Sequence, residues 1–211
     1  MTHYMAFARG VLLAPNKSAA WSEFGGASNL IAWRYRASFE DWQLYKSSLA
    51  GPNPEHEELY RRERALFGMF SAGVSCIESA TYSLAAVASH PSLLAIPFGP
   101  AEQRRCSPAA LQAWVAPHPL AATLTAALDR LLAANEWAIW VDLRNRMAHR
   151  SNLPRIIQAW VGPPPPPSKP ITFAATSSSP AIDADTNDFD ALHTWLAEAL
   201  RSLLVAGPSL K

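Results

Sequence analysis

The chain has 211 residues, 18 basic and 17 acidic side chains for a net charge of +1, and an apolar fraction of 49%. That is enough apolar material for one sizeable core, so wholesale disorder is excluded, and the length fits one domain or one domain with a decorated tail. The neutral balance argues against a protein that coats nucleic acid by bulk charge and leaves room only for a local basic patch.

The N-terminal stretch has no basic leader and only a short apolar run at Val11, Leu12 and Leu13, so it does not read as a signal peptide. Residues 1–37 carry aromatics and the pair Gly25-Gly26 without a clean period, which predicts irregular structure with a short helix over 18–24. Ser38 is a suitable N-cap for a helix over 39–50, and Gly51-Pro52 stops it. The next helix is the clearest. Asn53 caps it, Pro54 fits its first position, and Glu55, Glu57 and Glu58 suit its N-terminal dipole. Leu59, Leu66, Phe70, Val74, Ile77, Leu84 and Ala88 form one buried stripe before His90-Pro91 ends the run. Arg61, Arg62 and Arg64 among Glu57, Glu58 and Glu63 read as a solvated, ion-paired face, and Cys76 as a small buried hydrophobe.

Residues 91–107 read as a loop. Ser107-Pro108 opens a short helix through Val115, and another helix starts near Pro119 and carries Leu120, Leu124, Leu128, Leu131 and Leu132. Asn135-Glu136 marks a break or a soft spot, after which Trp137, Trp140, Leu143 and Met147 carry the helical spacing on to about Arg150. Beyond Pro154 two β-branched and aromatic runs, 156–161 and 171–174, flank the prolines 163–167, as strands around a polyproline loop or as an arm without regular structure. Residues 177–186 read as linker. Asn187 or Asp188 then caps a last helix through about Val205.

The fold expected is all-α, an antiparallel bundle of four to five main helices with at most one short β-hairpin around residues 156–174. A first segment (1–52) packs on a helical core (53–155), and a proline-rich arm plus C-terminal helix (156–211) completes what is a single domain overall. No apolar run reaches the roughly 20 uninterrupted residues of a membrane span, so a soluble cytoplasmic protein is expected, with no membrane partner.

Phosphate-cradling Gly-rich loops, a His-Glu-x-x-His helix and a Gly-x-Ser-x-Gly elbow are all missing. Two cysteines, Cys76 and Cys106, cannot make a disulfide framework or a four-cysteine zinc site, and no pair of the six histidines has metal-ligand spacing. Neither a metal nor a cofactor is therefore expected. What stands out is the stretch Leu143-Arg144-Asn145-Arg146-Met147-Ala148-His149-Arg150, a cluster of cations in a chain otherwise poor in charge. On a helix, Asn145 and His149 stack one turn apart with Asp142, while Arg144 falls beside Trp137, Trp140 and Met147. A cation beside an apolar stripe needs a reason. One is an ion pair to a neighbouring helix, for instance to Glu78, with His149 as a helix C-terminal residue that interacts well with the dipole. The other is a partner surface or a ligand.

Arg144, Asn145 and His149 resemble the Arg-x4-His signature of the HEPN superfamily, whose commonest form has Asn after the Arg and a small residue, here Ala148, before the His. The likeness in helix order spans residues 55–150, and Ile77-Glu78-Ser79 is similar to the acidic position often found on the earlier core helix of that family. The resemblance implies a helical bundle and a metal-independent endoribonuclease of the kind found in toxin–antitoxin, phage-defence and RNA-processing systems. Arg144 would then clamp the phosphate, His149 would act as acid and base, Asn145 would orient His149 or donate to the phosphate, and Glu78 would hold Arg144 or His149. It also implies a homodimer with two motifs face to face across a cleft, Arg146, Arg150 and Arg155 lining that cleft for RNA, and an antitoxin as a further partner. The competing readings are a HEPN-type module that binds nucleotide, RNA or protein without cutting, and a helical scaffold.

Overall fold

A computed structural model describes residues 2–12, 20–49, 55–149, 171–173, 175 and 180–210. Among them are eight α-helices: α1 (Thr2–Leu12), α2 (Ala20–Ser48), α3 (His56–Ala88), α4 (Pro100–Arg105), α5 (Pro108–Val115), α6 (Ala122–Ala133), α7 (Asn135–His149) and α8 (Thr186–Ala206). The molecule is an all-α helical bundle, with one small β-ribbon before α8.

The axis of the bundle is α3, 33 residues long, which at 1.5 Å per residue is a rod of about 50 Å. Its apolar positions recur every three or four residues, and Leu66, Phe70, Val74, Ile77 and Leu84 are all fully or almost fully buried. The helix α2 lies antiparallel along it, because Ser28 meets Ser83, Ser38 meets Met69 and Ser48 meets Arg62. The sequence predicts irregular chain over most of 1–37 and an N-cap at Ser38, and here the structure differs. The helix is continuous from Ala20, and Ser38 sits in its middle with its hydroxyl donating to the Met69 carbonyl at 2.9 Å. Gly25 and Gly26 each cost such a helix about 1 kcal/mol relative to Ala. Burial of Phe24, Ala27, Ser28 and Ile31 outweighs that penalty, and tertiary packing overrides propensity.

Two more expectations are corrected nearby. Arg62 is not a solvated residue: it is buried, pairs with Glu58 at 2.7 Å and donates to the Ser48 carbonyl, tying the C-terminal end of α2 to α3. Residues 91–107 are not all loop, since Gly99 and Pro100 start the short α4, whose Glu102 accepts from the Gly99 backbone N–H. The expected cap at Asn53-Pro54 lies outside the described residues.

Further along, punctuation in the sequence and boundaries in the structure coincide. Ser107 accepts from the Ala110 N–H and Pro108 occupies the first turn of α5. Asn135-Glu136 is a true break, with Ala134 in extended conformation between α6 and α7. The ribbon pairs β1 (Ile171–Phe173) antiparallel with β2 (Ile182–Ala184) in the register Ile171 with Ala184 and Phe173 with Ile182. The partner of 171–173 is thus 182–184, inside the stretch read as linker. The other expected strand, 156–161, lies outside the described residues. The cap of α8 is Asp185, whose carboxylate accepts from the N–H groups of Asn187 and Asp188; Asp188 reaches back to the Asp185 N–H at 2.8 Å. Asp188, expected as a cap, is instead the third residue of the helix and the second member of the box.

What sets the position of α7 is one close approach. A Cβ at Gly73 would run into the Trp140 ring, so glycine is needed for α7 to lie this near α3. Trp140 is fully buried, meets Phe70 edge-on at 5.0 Å and donates to the Leu192 carbonyl of α8 at 3.3 Å. A single indole therefore joins α3, α7 and α8.

Candidate functional site

The apolar stripe of α7, Trp140, Leu143 and Met147, faces inward, and two arginines flank it. On a helical wheel Arg144 and Arg146 stand about 160° apart, one on each side of the stripe. Their surroundings differ. The Arg146 side chain has no exposure at all: its Nη2 and Nε donate to Asp142 at 2.6 and 2.9 Å, and Nη2 also donates to the Pro180 carbonyl at 2.7 Å. Arg146 was expected to line a cleft for RNA, and the structure corrects this. The residues before β2 cover its flank of α7, and the charge is neutralised one turn away by Asp142.

Arg144 lies on the opposite flank, where α3 leaves the surface open. Its side chain is 31% exposed and its Nη2 stands 3.7 Å from Glu78, itself 42% exposed. That is a contact between half-solvated charges, well short of the bidentate geometry of a strong pair. The Nε of Arg144 is enclosed and has no hydrogen-bond partner among the described residues. The pairing of Arg144 with Glu78 anticipated from sequence is present, within one chain and not sealed from solvent. Asn145 is exposed beside it. His149 is the last residue of α7, one turn beyond Asn145; its side chain, and the whole of Arg150 and Arg155, lie outside the described residues.

Glu78 also lines a cleft of about 490 Å³ between α2 and α3, together with Arg34, Glu23, Ser79 and Tyr82. Arg34 is held by the Ser75 carbonyl at 3.0 Å and the Ser79 hydroxyl at 2.6 Å. The Tyr82 hydroxyl donates to Glu23 at 2.8 Å, and burial, helped by the carboxylate, pushes its pKa up, so the phenol stays protonated. Two guanidinium groups, one anchored and one half free, therefore lie on either side of Glu78. Sequence reasoning missed Arg34. It lies in a segment expected to be irregular, and only the antiparallel pairing of α2 with α3 brings it opposite Ser79.

Among the described residues no group of three His, Cys, Asp or Glu side chains is placed to hold a metal ion, and no helix is long and apolar enough to cross a membrane. Cys76 is buried, its thiol donating to the Ile31 carbonyl at 3.1 Å, and burial pushes its pKa up to about 12, which suits a structural and not a nucleophilic thiol. What the site offers is a guanidinium at an open surface, a carboxylate that steadies it, and a neighbouring exposed amide. No family model, curated protein or solved structure matches this chain.

Proposed function

We propose that this protein is a metal-independent endoribonuclease of HEPN type, with Arg144 as phosphate clamp and His149 as proton carrier. The observation that supports it is the contrast on α7. Of its two arginines with described side chains, Arg146 is consumed by internal contacts, whereas Arg144 is half open, loosely steadied by Glu78, and next to the exposed Asn145. A guanidinium so disposed can offer its fork to two phosphate oxygens and offset the charge that builds up as the phosphorus becomes five-coordinate. In this reading a base takes the ribose 2′-OH proton, O2′ attacks the adjacent phosphorus, and the 5′-oxygen leaves with a proton from an acid, giving 2′,3′-cyclic phosphate and 5′-hydroxyl ends. An imidazole titrates in the right range for either role.

One motif supplies one imidazole, so the proposal includes a symmetric homodimer that brings two together. The outward face of α3 suits such pairing: Tyr60 and Phe67, 58% and 43% exposed, stand at seven-residue spacing in line with Glu78. RNA is the substrate in this reading, the cytoplasm its setting and toxin–antitoxin or phage defence its context, with an antitoxin as the restraining partner.

The test is incubation with single-stranded RNA in EDTA, comparing wild type with H149A and R144A. Cleavage that persists in chelator, leaves cyclic ends and vanishes in both variants is the expected result. Equal background in all three overturns the reading. A second reading, a HEPN-type module that binds without cutting, is favoured by the Arg144–Glu78 contact lying within one chain. It predicts RNA retention without products, unchanged by H149A.

A further inference from the structure

A second cleft, of about 590 Å³, opens between α1, α2 and α8 and shares no residue with the one beside Glu78. Its walls are apolar, with Ile31 and Tyr35 from α2 and Leu200 and Leu204 from α8. The volume falls in the range of small-molecule pockets, about 300–1,000 Å³. The chain turns polarity away from it: the Tyr4 ring lines the floor, but its hydroxyl is bonded to Ser83 at 2.7 Å inside the bundle.

Charge enters only at the mouth. His3 and Arg201 both line the cleft and both are exposed. Arg201 makes no hydrogen bond or ion pair with any described residue, Glu198 one turn back included, unlike Arg36, Arg61 and Arg105, each of which is paired with a carboxylate one turn away. An apolar body with an unpaired guanidinium and an imidazole N–H at its rim is the complement of an amphipathic anion. The geometry points to a binding site for small aliphatic carboxylates, with the tail against Leu200 and Leu204 and the carboxylate forked by Arg201 with His3 beside it. A planar guanidinium matches a carboxylate through two parallel N–H···O bonds. The site is independent of any activity at Arg144.

Calorimetric titration of the purified protein with octanoate, decanoate and dodecanoate, and with decanol as the uncharged control, tests this. Affinity should tighten about fourfold per added methylene until the tail outgrows the cleft. Decanoate should bind about fivefold more tightly than decanol, as expected for a partly solvated ion pair. Arg201→Gln, at an exposed position, should erase that difference and leave decanol untouched; Ala197→Trp, which fills the cleft, should abolish both. Equal binding of decanoate and decanol by wild type overturns the proposal, as does binding that survives Ala197→Trp, or no binding of any carboxylate. Failure of every carboxylate together with a shift from dimer to monomer in Ala197→Trp would assign the cleft to a second copy of the chain instead.

Discussion

The two sides of α7 use the same residue type in opposite ways. On the inner side Arg146 is fully enclosed, its charge matched by Asp142 and its fork closed on the Pro180 carbonyl. On the outer side Arg144 keeps about a third of its surface in solvent and touches Glu78 at 3.7 Å. A guanidinium flanking an apolar stripe is thus either a clamp within the fold or a group left half open at the surface. The element that covers its flank decides which, and the residue itself does not.

The largest effect expected from breaking this contrast is on the outer side. On the proposed function, Arg144→Ala should lower RNA cleavage by about 10³-fold, the scale of removing a preorganised charge from the transition state, while thermal unfolding moves little because the lost pair is half solvated. A large drop in stability would make Arg144 a second structural clamp. On the inner side, Arg146→Ala should cost about 3 kcal/mol of stability, since it strips a buried cation from a partly buried carboxylate and a carbonyl; denaturant unfolding of wild type and variant reads it directly. Gly73→Ala acts on the same junction from α3. Its methyl meets the Trp140 ring, and overpacking of this kind costs about 1–3 kcal/mol, so a melting temperature unchanged within error would contradict the packing described.

The smallest effect depends on pH and lies where α2 meets α8. His193 is buried with its ring 5.1 Å from Tyr35 and 5.5 Å from Phe39, and its Nε2 has no hydrogen-bond partner among the described residues. Burial lowers its pKa below the ordinary 6.5, with the Asp190 carboxylate opposing and the Lys46 ammonium reinforcing that shift. The unfolded chain therefore binds the proton more readily. Stability is complete above pH 6.5 and is lost as the pH falls toward the folded value. His193→Phe should flatten unfolding free energy against pH in that window; an identical slope in both proteins would remove His193 as the cause.

Sequence alone carried the fold class and the start of α5 and α6, because Ser107-Pro108 and Pro119 are stops and starts that act locally, while it left the boundary at Asn135 open between a break and a soft spot. It missed the first half of α2, where Gly25-Gly26 is a local signal against helix and the compensating burial comes from a partner some 50 residues away. At the candidate site the wheel placed Arg144 beside the apolar stripe correctly and anticipated Glu78. The resemblance, and not the wheel, put Arg146 in a cleft, and nothing in positions 143–150 announces that residue 180 will close over it. The cap of α8 failed for a subtler reason: Asp185 and Asp188 are both good caps, and only the strand register of β2 selects the first.

The clasp between Arg146 and the Pro180 carbonyl also fixes the rotational setting of α7. Turning the helix by a single residue, about 100°, would break that clasp and drive the Trp140 indole off its seat at Gly73. The outward aim of Arg144 is therefore held from behind, by a bond on the far side of the same helix. Mutations around residue 180 should disturb the surface around Arg144 without ever touching it.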